Sequence, residues 1–579
     1  METQDTAPGG GQGIITSCLQ QPAALAVVAT VLAIVVITRV LCRASPSPSD
    51  GKQAPPRVPF WLPFFGHAPQ MLVNTEGFLA RLRDRYYPEG AFSLCLFGKL
   101  HHFVHAPALA NSLLSRPRTS AEGVSGSLLT SNFSFSKKDL EQYAAVSQEA
   151  KTQFKYLHSE PGLSELVDAT VTQVARNIAD FVTFNSYPAD QMDWERLAGA
   201  EVVQGPKGES FVEADLMALA KNFIAKTANC ALYGTDFVEN FPDMWQLMWT
   251  FDEAFLLLAA KVPGWIPWPK LQRARNARRR MLSYTYEFNV AMDKHLEGQD
   301  AGIEWQDLDN VSAVVKARIE TFRNHGLSLQ ARAGCDLGLC WAMNSNANQL
   351  ISWMLFELYR DAVLLEQVRE EVAPYVQAVQ PQNDFGEAIW LAPTMEKLDL
   401  DGLFTKCPLL KAAYLETLRV YTGVWTLRWL TEDVVLDDRA KTEPYLLRKG
   451  TYAHVPQDMH QFDPEYFPNP KEWHHGRHLK EQVDENGRRS LVADMGTIRP
   501  YGGGPGMCKG RAFAQRQMLL YSAIIATFYD MQPPNGQSWE EPKTYKLAAT
   551  RHPKKDIKVW IRRRVLPKMT ETRANICTA

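Results

Sequence analysis

The chain carries no surplus of either charge: 62 Lys and Arg stand against 64 Asp and Glu, a formal net charge of −2. That removes the whole-chain basic footprint expected of a nucleic-acid binder, so no nucleic-acid partner is expected. A cysteine framework is missing too. The nine cysteines (Cys18, Cys42, Cys95, Cys230, Cys335, Cys340, Cys407, Cys508 and Cys577) are odd in number and scattered. No C-x2-C pair suggests zinc, and no dense spacing suggests a secreted disulfide scaffold. Most of them read as buried thiols. There is no internal repeat, and no G-x-x-x-x-G-K-[ST] loop for phosphate. What remains is an ordinary folding composition, 45% apolar and 22% charged over 579 residues, enough for a sizeable core. Fifteen Trp and an aromatic share of 11% suit an apolar pocket, though a large core alone explains them.

One apolar run stands apart. Residues 14–38 carry no charge, and 22–38 is nearly all Ala, Val, Leu and Ile. About 20 apolar residues span a bilayer. A cleaved signal peptide begins with basic residues, whereas this terminus holds Glu2 and Asp5; a buried core helix is the other alternative. Arg39, Arg43, Lys52 and Arg57 follow the run, which by the positive-inside rule places the downstream chain in the cytoplasm. The expectation is an anchor over 1–43 with a transmembrane helix at about 20–41. A Pro-rich stretch with Pro46, Pro48, Pro55, Pro56, Pro59 and Pro63 reads as a stiff linker or hinge over 44–69.

From residue 70 to 579 no second boundary is evident, and one catalytic domain is expected. Helical periodicity covers 75–85, 213–233, 270–298, 330–359 and 362–380; strand-like pieces cover 90–96, 445–455 and 557–561. The fold class expected is mainly α with a small β domain. Residues 251–269 end in Val-Pro-Gly-Trp-Ile-Pro-Trp-Pro before a basic helix. That stretch reads equally as a membrane-dipping element or as a core helix, a Pro turn and a solvated helix.

The chemistry concentrates at Tyr501-Gly502-Gly503-Gly504-Pro505-Gly506-Met507-Cys508-Lys509-Gly510. Glycines let backbone pass close to a flat cofactor where a Cβ would collide. A cysteine just before a helix has its thiolate stabilised by backbone N–H groups and the helix dipole. Such a thiolate can bind heme iron. A Gly-rich loop before a helix can also cradle phosphate, but the strand–Gly–helix setting of a dinucleotide site is missing.

Tyr501-x-x-Gly504-x-x-x-Cys508-x-Gly510 resembles the heme-binding loop of the cytochrome P450 family, which usually opens with Phe. Leu409–Arg419 resembles that family's E-x-x-R helix, and 462–477 its segment supplying a second arginine. The prolines after the apolar run resemble its hinge. The resemblance implies the P450 fold preceded by one transmembrane helix. It implies heme b with Cys508 as axial ligand of the iron, Tyr501, Gly504 and Gly510 as cofactor-binding positions, and a structural network of Glu416, Arg419 and Arg477. The distal pattern A-G-x-[DE]-T falls on 342–346, so Ser345 replaces the proton-delivering acid and Asn346 the alcohol. In this the chain resembles the branch of sterol 7-alpha- and 12-alpha-hydroxylases and prostacyclin synthase. Asn346 can donate and accept hydrogen bonds, which makes Asn346 and Ser345 the catalytic candidates. An Asn packed on its own helix is the plainer alternative, given Asn344 and Asn348.

Two departures stand out. Gly506 occupies the position where the family often has a propionate-binding Arg. No W-x-x-x-R helix is recognisable in 136–162, where Lys151 and Lys155 are vague substitutes. Arg428 is therefore a candidate propionate partner, with a surface arginine as alternative. The activity implied is that of a membrane-bound monooxygenase. It would place one oxygen atom from dioxygen in a lipophilic sterol, terpenoid or other secondary metabolite, with electrons from NADPH-cytochrome P450 reductase, docked near Lys509 and Arg511. The location implied is the endoplasmic reticulum membrane, single-pass, with the catalytic domain facing the cytoplasm. The alternative is a heme-thiolate isomerase or dehydratase acting on a peroxide-like substrate. The sequons at Asn132 and Asn310 are expected to go unused on the cytoplasmic side.

Overall fold

The computed structural model describes residues 22–42, 52–116, 122–381, 391–437, 444–483 and 485–568. Most of the apolar run before residue 22 and the Ala44–Gly51 part of the linker lie outside them. The chain divides into two compact units: Met1–Ala121 with Trp425–His460 and Gly503–Gly506, and Glu122–Val424 with Gln461–Gly502 and Met507–Ala579.

The first unit is built on a four-stranded sheet in the order Ala91–Leu96, Lys99–Val104, Tyr452–Pro456, Trp425–Trp429. The first pair is an antiparallel hairpin, the middle pair parallel and the last antiparallel. The hairpin closes on Phe97 and Gly98, both at positive φ, the arrangement that matches strand twist in a two-residue turn. Gly450, at φ +79°, separates Tyr445–Leu447 from Tyr452–Pro456, so the single strand expected at 445–455 is two. The linker is not detached where it is described. Val58 N donates to Ser93 O (2.9 Å) and Ser93 N to Pro56 O (2.8 Å). Prolines lacking an N–H are tolerated along such a sheet edge.

Pro22–Leu41 is helical, but the membrane-crossing character expected of it is not supported; Leu25, Val27, Val40 and Leu41 on it are exposed. No helix among the described residues is long and apolar enough to cross a membrane. Arg39 donates to Pro59 O and lies over the Trp61 ring.

The second unit is mostly helical. Its core packs Leu216–Tyr233, Ala347–Arg360, Pro408–Tyr421 and Arg511–Phe528 around buried Trp353, Tyr414 and Tyr521. A sheet ordered Tyr529–Gln532, Lys558–Arg563, Ser210–Asp215, Glu201–Gln204 flanks it. Three expectations change here. The helix expected from 213 starts at Leu216, because 213–215 pair with Lys558–Trp560 and the Asp215 side chain caps the helix through Ala218 N (2.6 Å). The stretch 362–380 is helix Ala362–Val372 followed by strand Val376–Val379. The helix expected over 330–359 is two, Leu329–Asn344 and Ala347–Arg360, interrupted at Ser345 and Asn346. In the 251–269 stretch Phe251, Phe255 and Leu258 are buried, while Trp265 and Trp268 are exposed.

The two sequons differ. Asn132 is fully buried and its amide donates to Phe255 O (3.0 Å). Asn310 is exposed.

Candidate functional site

The loop ahead of helix Arg511–Phe528 presents Cys508. Its backbone N–H donates to Tyr501 O (3.0 Å), and Gly502, at φ +73°, donates to Arg499 O (3.0 Å). Gly504 is sterically fixed: its φ is +61°, and a Cβ there would stand 1.9 Å from Leu114 O. At Gly510 a Cβ would stand 3.9 Å from both Cys508 Sγ and Met343 Sδ. The distal helix residue Met343 therefore lies beside the cysteine loop. Cys508 is exposed, yet protein behind the sulfur crowds it. Burial raises the thiol above its ordinary pKa, while the backbone N–H groups of Gly510 and Arg511 and the Arg511 charge pull it down. Those two amides are the donors that a helix N-terminus offers a thiolate.

The loop is backed by helix Pro408–Tyr421. Tyr414 and Tyr501 share a hydroxyl–hydroxyl hydrogen bond of 2.8 Å. Two turns' worth of polar residues follow. Glu416 Oε1 accepts from Arg419 Nη2 (2.7 Å), His474 N (2.9 Å) and Arg477 Nε (3.2 Å). Oε2 accepts from Arg419 Nε (2.8 Å), and His478 Nε2 lies 3.1 Å from it. Arg419 spends its remaining donors on Gln461 O, Pro470 O and Glu472 O, at 2.7–3.0 Å. Glu416 and Arg419 are both fully buried. Burial, the largest influence, would raise the Glu416 carboxyl, but the hydrogen bonds from Arg419 and His478 and the Arg419 charge outweigh it. The net shift is downward. The three residues expected in this network do meet. No motif singles out His478, which joins Glu416 to the Asp494 carbonyl (3.0 Å).

On the other wall, the interruption places Asn346 at φ −107°, ψ −57°. Trp341 O still accepts from Ser345 N (2.9 Å), and Asn346 O accepts from Leu350 N (3.0 Å). Ser345 Oγ is buried with no hydrogen-bond partner. The Asn346 side chain does not cap the following helix, is half-buried, and has no hydrogen-bond partner among the described residues. Ala342, one turn earlier, is exposed within an otherwise buried helix. Asn344 and Asn348 are the asparagines that pack inward, not Asn346.

Arg428, the candidate propionate partner, lies in the first unit. It is buried, and it donates to Leu113 O (3.0 Å), Leu114 O (3.0 Å) and Arg116 O (2.8 Å). These are carbonyls at the C-terminal end of helix Pro107–Leu114, where a cation is favoured. This capping role accounts for its geometry within the first unit.

The residues fit a flat, thiolate-ligated group. The test is twofold: a crowded cysteine sulfur beside the Gly510 and Arg511 amides, and a helix wall with an exposed alanine and an unpartnered amide. The class is a heme-thiolate protein. Comparison with known proteins agrees. The cytochrome P450 family model matches residues 212–559, and the chain belongs to that family. It is an oxygenating oxidoreductase whose prosthetic group is heme with an axial cysteine thiolate. Among its relatives is a cytochrome P450 monooxygenase of Gibberella zeae, 24% identical, covering 85% of this chain and 84% of the relative. Cytochrome P450 7B1 of Mus musculus is 22% identical, covering 83% of this chain and 84% of its own length. A 25-hydroxycholesterol 7-alpha-hydroxylase of Rattus norvegicus is 27% identical over 42% of this chain and 58% of its own length. The branch expected from Ser345 and Asn346 is thus represented among its relatives.

Proposed function

We propose that the protein is a membrane-attached monooxygenase that places one oxygen atom from dioxygen into a lipophilic sterol, terpenoid or other secondary metabolite, drawing electrons from an NADPH-dependent reductase. The observation that carries this reading is the placing of Cys508 just ahead of helix Arg511–Phe528, with Met343 of the broken helix beside its loop and an unpartnered Asn346 side chain at the break. When bound, heme with its axial thiolate supplies the reductive activation of dioxygen.

The chain's own residues do the rest. Cys508 would hold the heme iron through its sulfur, which lies beside the Gly510 and Arg511 amides. Tyr501 accepts the Cys508 N–H and ties the loop to Tyr414. Gly504 lets backbone pass where a side chain would not fit. Asn346 orients dioxygen and holds a proton-carrying water through its amide, and Ser345 Oγ is the adjacent orphan hydroxyl that extends the chain of donors. Phe133, Phe255 and Trp341 line the same helix, with Phe255 and Trp341 stacked at 3.8 Å. They keep that wall apolar and dry, which suits a lipophilic substrate.

The membrane reading rests on the exposed apolar side chains of Pro22–Leu41, continued by the apolar residues before it, and on exposed Trp265 and Trp268. We place the chain single-pass in the endoplasmic reticulum membrane with the catalytic domain on the cytoplasmic side, and the reductase near Lys509 and Arg511. The absence of a carboxylic acid at 345 keeps one rival open, an isomerase acting on a peroxide-like substrate. Cells with and without the gene, grown under heavy dioxygen, separate the two. A gene-dependent metabolite carrying one heavy oxygen its precursor lacks supports the monooxygenase. A gene-dependent product with its precursor's formula and no label sinks it.

A further inference from the structure

Three asparagine amides meet behind the helix break. Asn344, the last residue of Leu329–Asn344, donates from Nδ2 to Asn229 Oδ1 (3.1 Å) and to Cys340 O (2.9 Å). Its Oδ1 accepts from Asn229 Nδ2 (2.8 Å) and from Asn348 Nδ2 (3.1 Å). Asn229, on helix Leu216–Tyr233, gives its second amide hydrogen to Ala225 O (2.6 Å). All three are buried. Both amide hydrogens and both lone pairs of Asn344 are therefore engaged.

This arrangement does what helical backbone bonds do elsewhere. An asparagine inside a helix ordinarily competes with the backbone and weakens it. Here the competing side chains bridge the interruption. Asn344 belongs to the first segment and Asn348 to the second, and Asn229 ties both to a third helix that the same core holds. The angle between the two halves of the distal helix is thereby set from outside the helix. That angle decides where Ser345 and Asn346 point. The triad is also closed: Asn344 has no bond left for the Asn346 amide. Asn346 is two residues from each of its neighbours, so it falls away from the face that carries 340, 344 and 348.

We propose that Asn229, Asn344 and Asn348 are positioning residues, whose amide triad pins the break so that the Asn346 side chain stays free for the reaction. The geometric part stands on the hydrogen bonds alone; its consequence for turnover rests on the monooxygenase reading above.

The test uses the full-length, heme-loaded protein and the variants Asn344→Ala, Asn229→Ala and Asn346→Ala, singly and in pairs. The first readout is hydrogen–deuterium exchange in peptides spanning 341–352. Asn344→Ala is expected to speed exchange there about tenfold while peptides of the Glu416 network stay unchanged. The second is the fate of electrons with NADPH and reductase. Unproductive turnover converts NADPH, a proton and dioxygen into NADP+ and hydrogen peroxide, so peroxide per NADPH measures lost coupling. Asn344→Ala is expected to raise that ratio several-fold, and to raise it no further when Asn346→Ala is already present.

A merely structural role would lower stability equally in both backgrounds and would add its peroxide to that of Asn346→Ala. Additive peroxide release, or unchanged exchange across 341–352, overturns the proposal. Should Asn344→Ala fail to fold, Asn348→Ala, which removes only the 3.1 Å bond, is put through the same two readouts with the same expected directions. If the wild-type protein never couples NADPH oxidation to dioxygen, the monooxygenase reading fails and the exchange experiment still decides the triad.

Discussion

Two of the buried polar assemblies in the second unit are satisfied in opposite ways. Around Glu416 every donor of Arg419 and both carboxylate oxygens are engaged, by side chains and by loop carbonyls together. At the helix break a neutral amide triad is equally complete, but it stands beside two polar groups with no partner, Ser345 Oγ and the Asn346 side chain. Of the two, only Ser345 Oγ is fully buried, where an unpaired hydroxyl costs free energy; the half-buried Asn346 side chain is open to a partner. The contrast separates a part that holds shape from a part that waits for a ligand.

The sharpest break in that comparison is Cys508→Ser, which is expected to abolish the thiolate spectrum of the reduced carbon monoxide complex and all turnover; a retained spectrum would refute the ligand assignment. Next is Glu416→Gln, which leaves Arg419 buried without its counter-charge. It is expected to cost about 3–5 kcal/mol in denaturant unfolding and to reduce heme retention. Gly504→Ala sets a Cβ against Leu114 O and should lower heme incorporation while leaving secondary structure by circular dichroism near normal.

Asn346→Ala should leave the melting temperature within a degree or two. It should slow product formation about a hundredfold, the lower end for a lost proton-handling group. A large loss of stability with unchanged coupling would reverse the contrast drawn above.

The smallest effect concerns pH. Asp252, which accepts from the Trp341 indole (2.7 Å), has its carboxyl pushed up to about 6, chiefly by burial. Between about pH 4 and pH 6 the native state holds a proton that the unfolded chain has already released. Stability therefore falls as pH rises through that window. The loss is about 2–3 kcal/mol at most. Asp252→Asn should flatten that slope in melting curves measured from pH 4 to pH 7.

Much of the first assembly was legible in the sequence. Glu416 and Arg419 lie three apart on a helix, Arg477 follows in a recognisable segment, and the cysteine loop carries its own glycine signature. His478 was not legible, since one histidine beside an arginine has no distinctive spacing. The break was hidden for a different reason. Periodicity over 330–359 continues through it, because Asn344 and Asn348 keep the inward phase, and no proline or glycine marks the interruption. Asn229, more than a hundred residues away, offers no local signal at all. Arg428 shows the limit from the other side: read from the sequence as a propionate partner or a surface arginine, it is buried against carbonyls that only tertiary structure brings to it.

The unequal burial of the two sequons turns them into a pair of reporters. Oligosaccharide transfer needs an accessible amide. Asn310 offers one at the surface of the folded protein, where it donates to the exposed Asp307 carboxylate (2.6 Å), whereas the Asn132 amide is committed to Phe255 O inside the core. A glycan on Asn310 alone would mean that a finished domain had met the lumenal enzyme. A glycan on Asn132 would mean that the chain was tagged before it folded, and that the sugar then barred it from ever closing. Sequence-specific gel shifts at the two positions thus read membrane sidedness and folding history separately, from the unaltered protein.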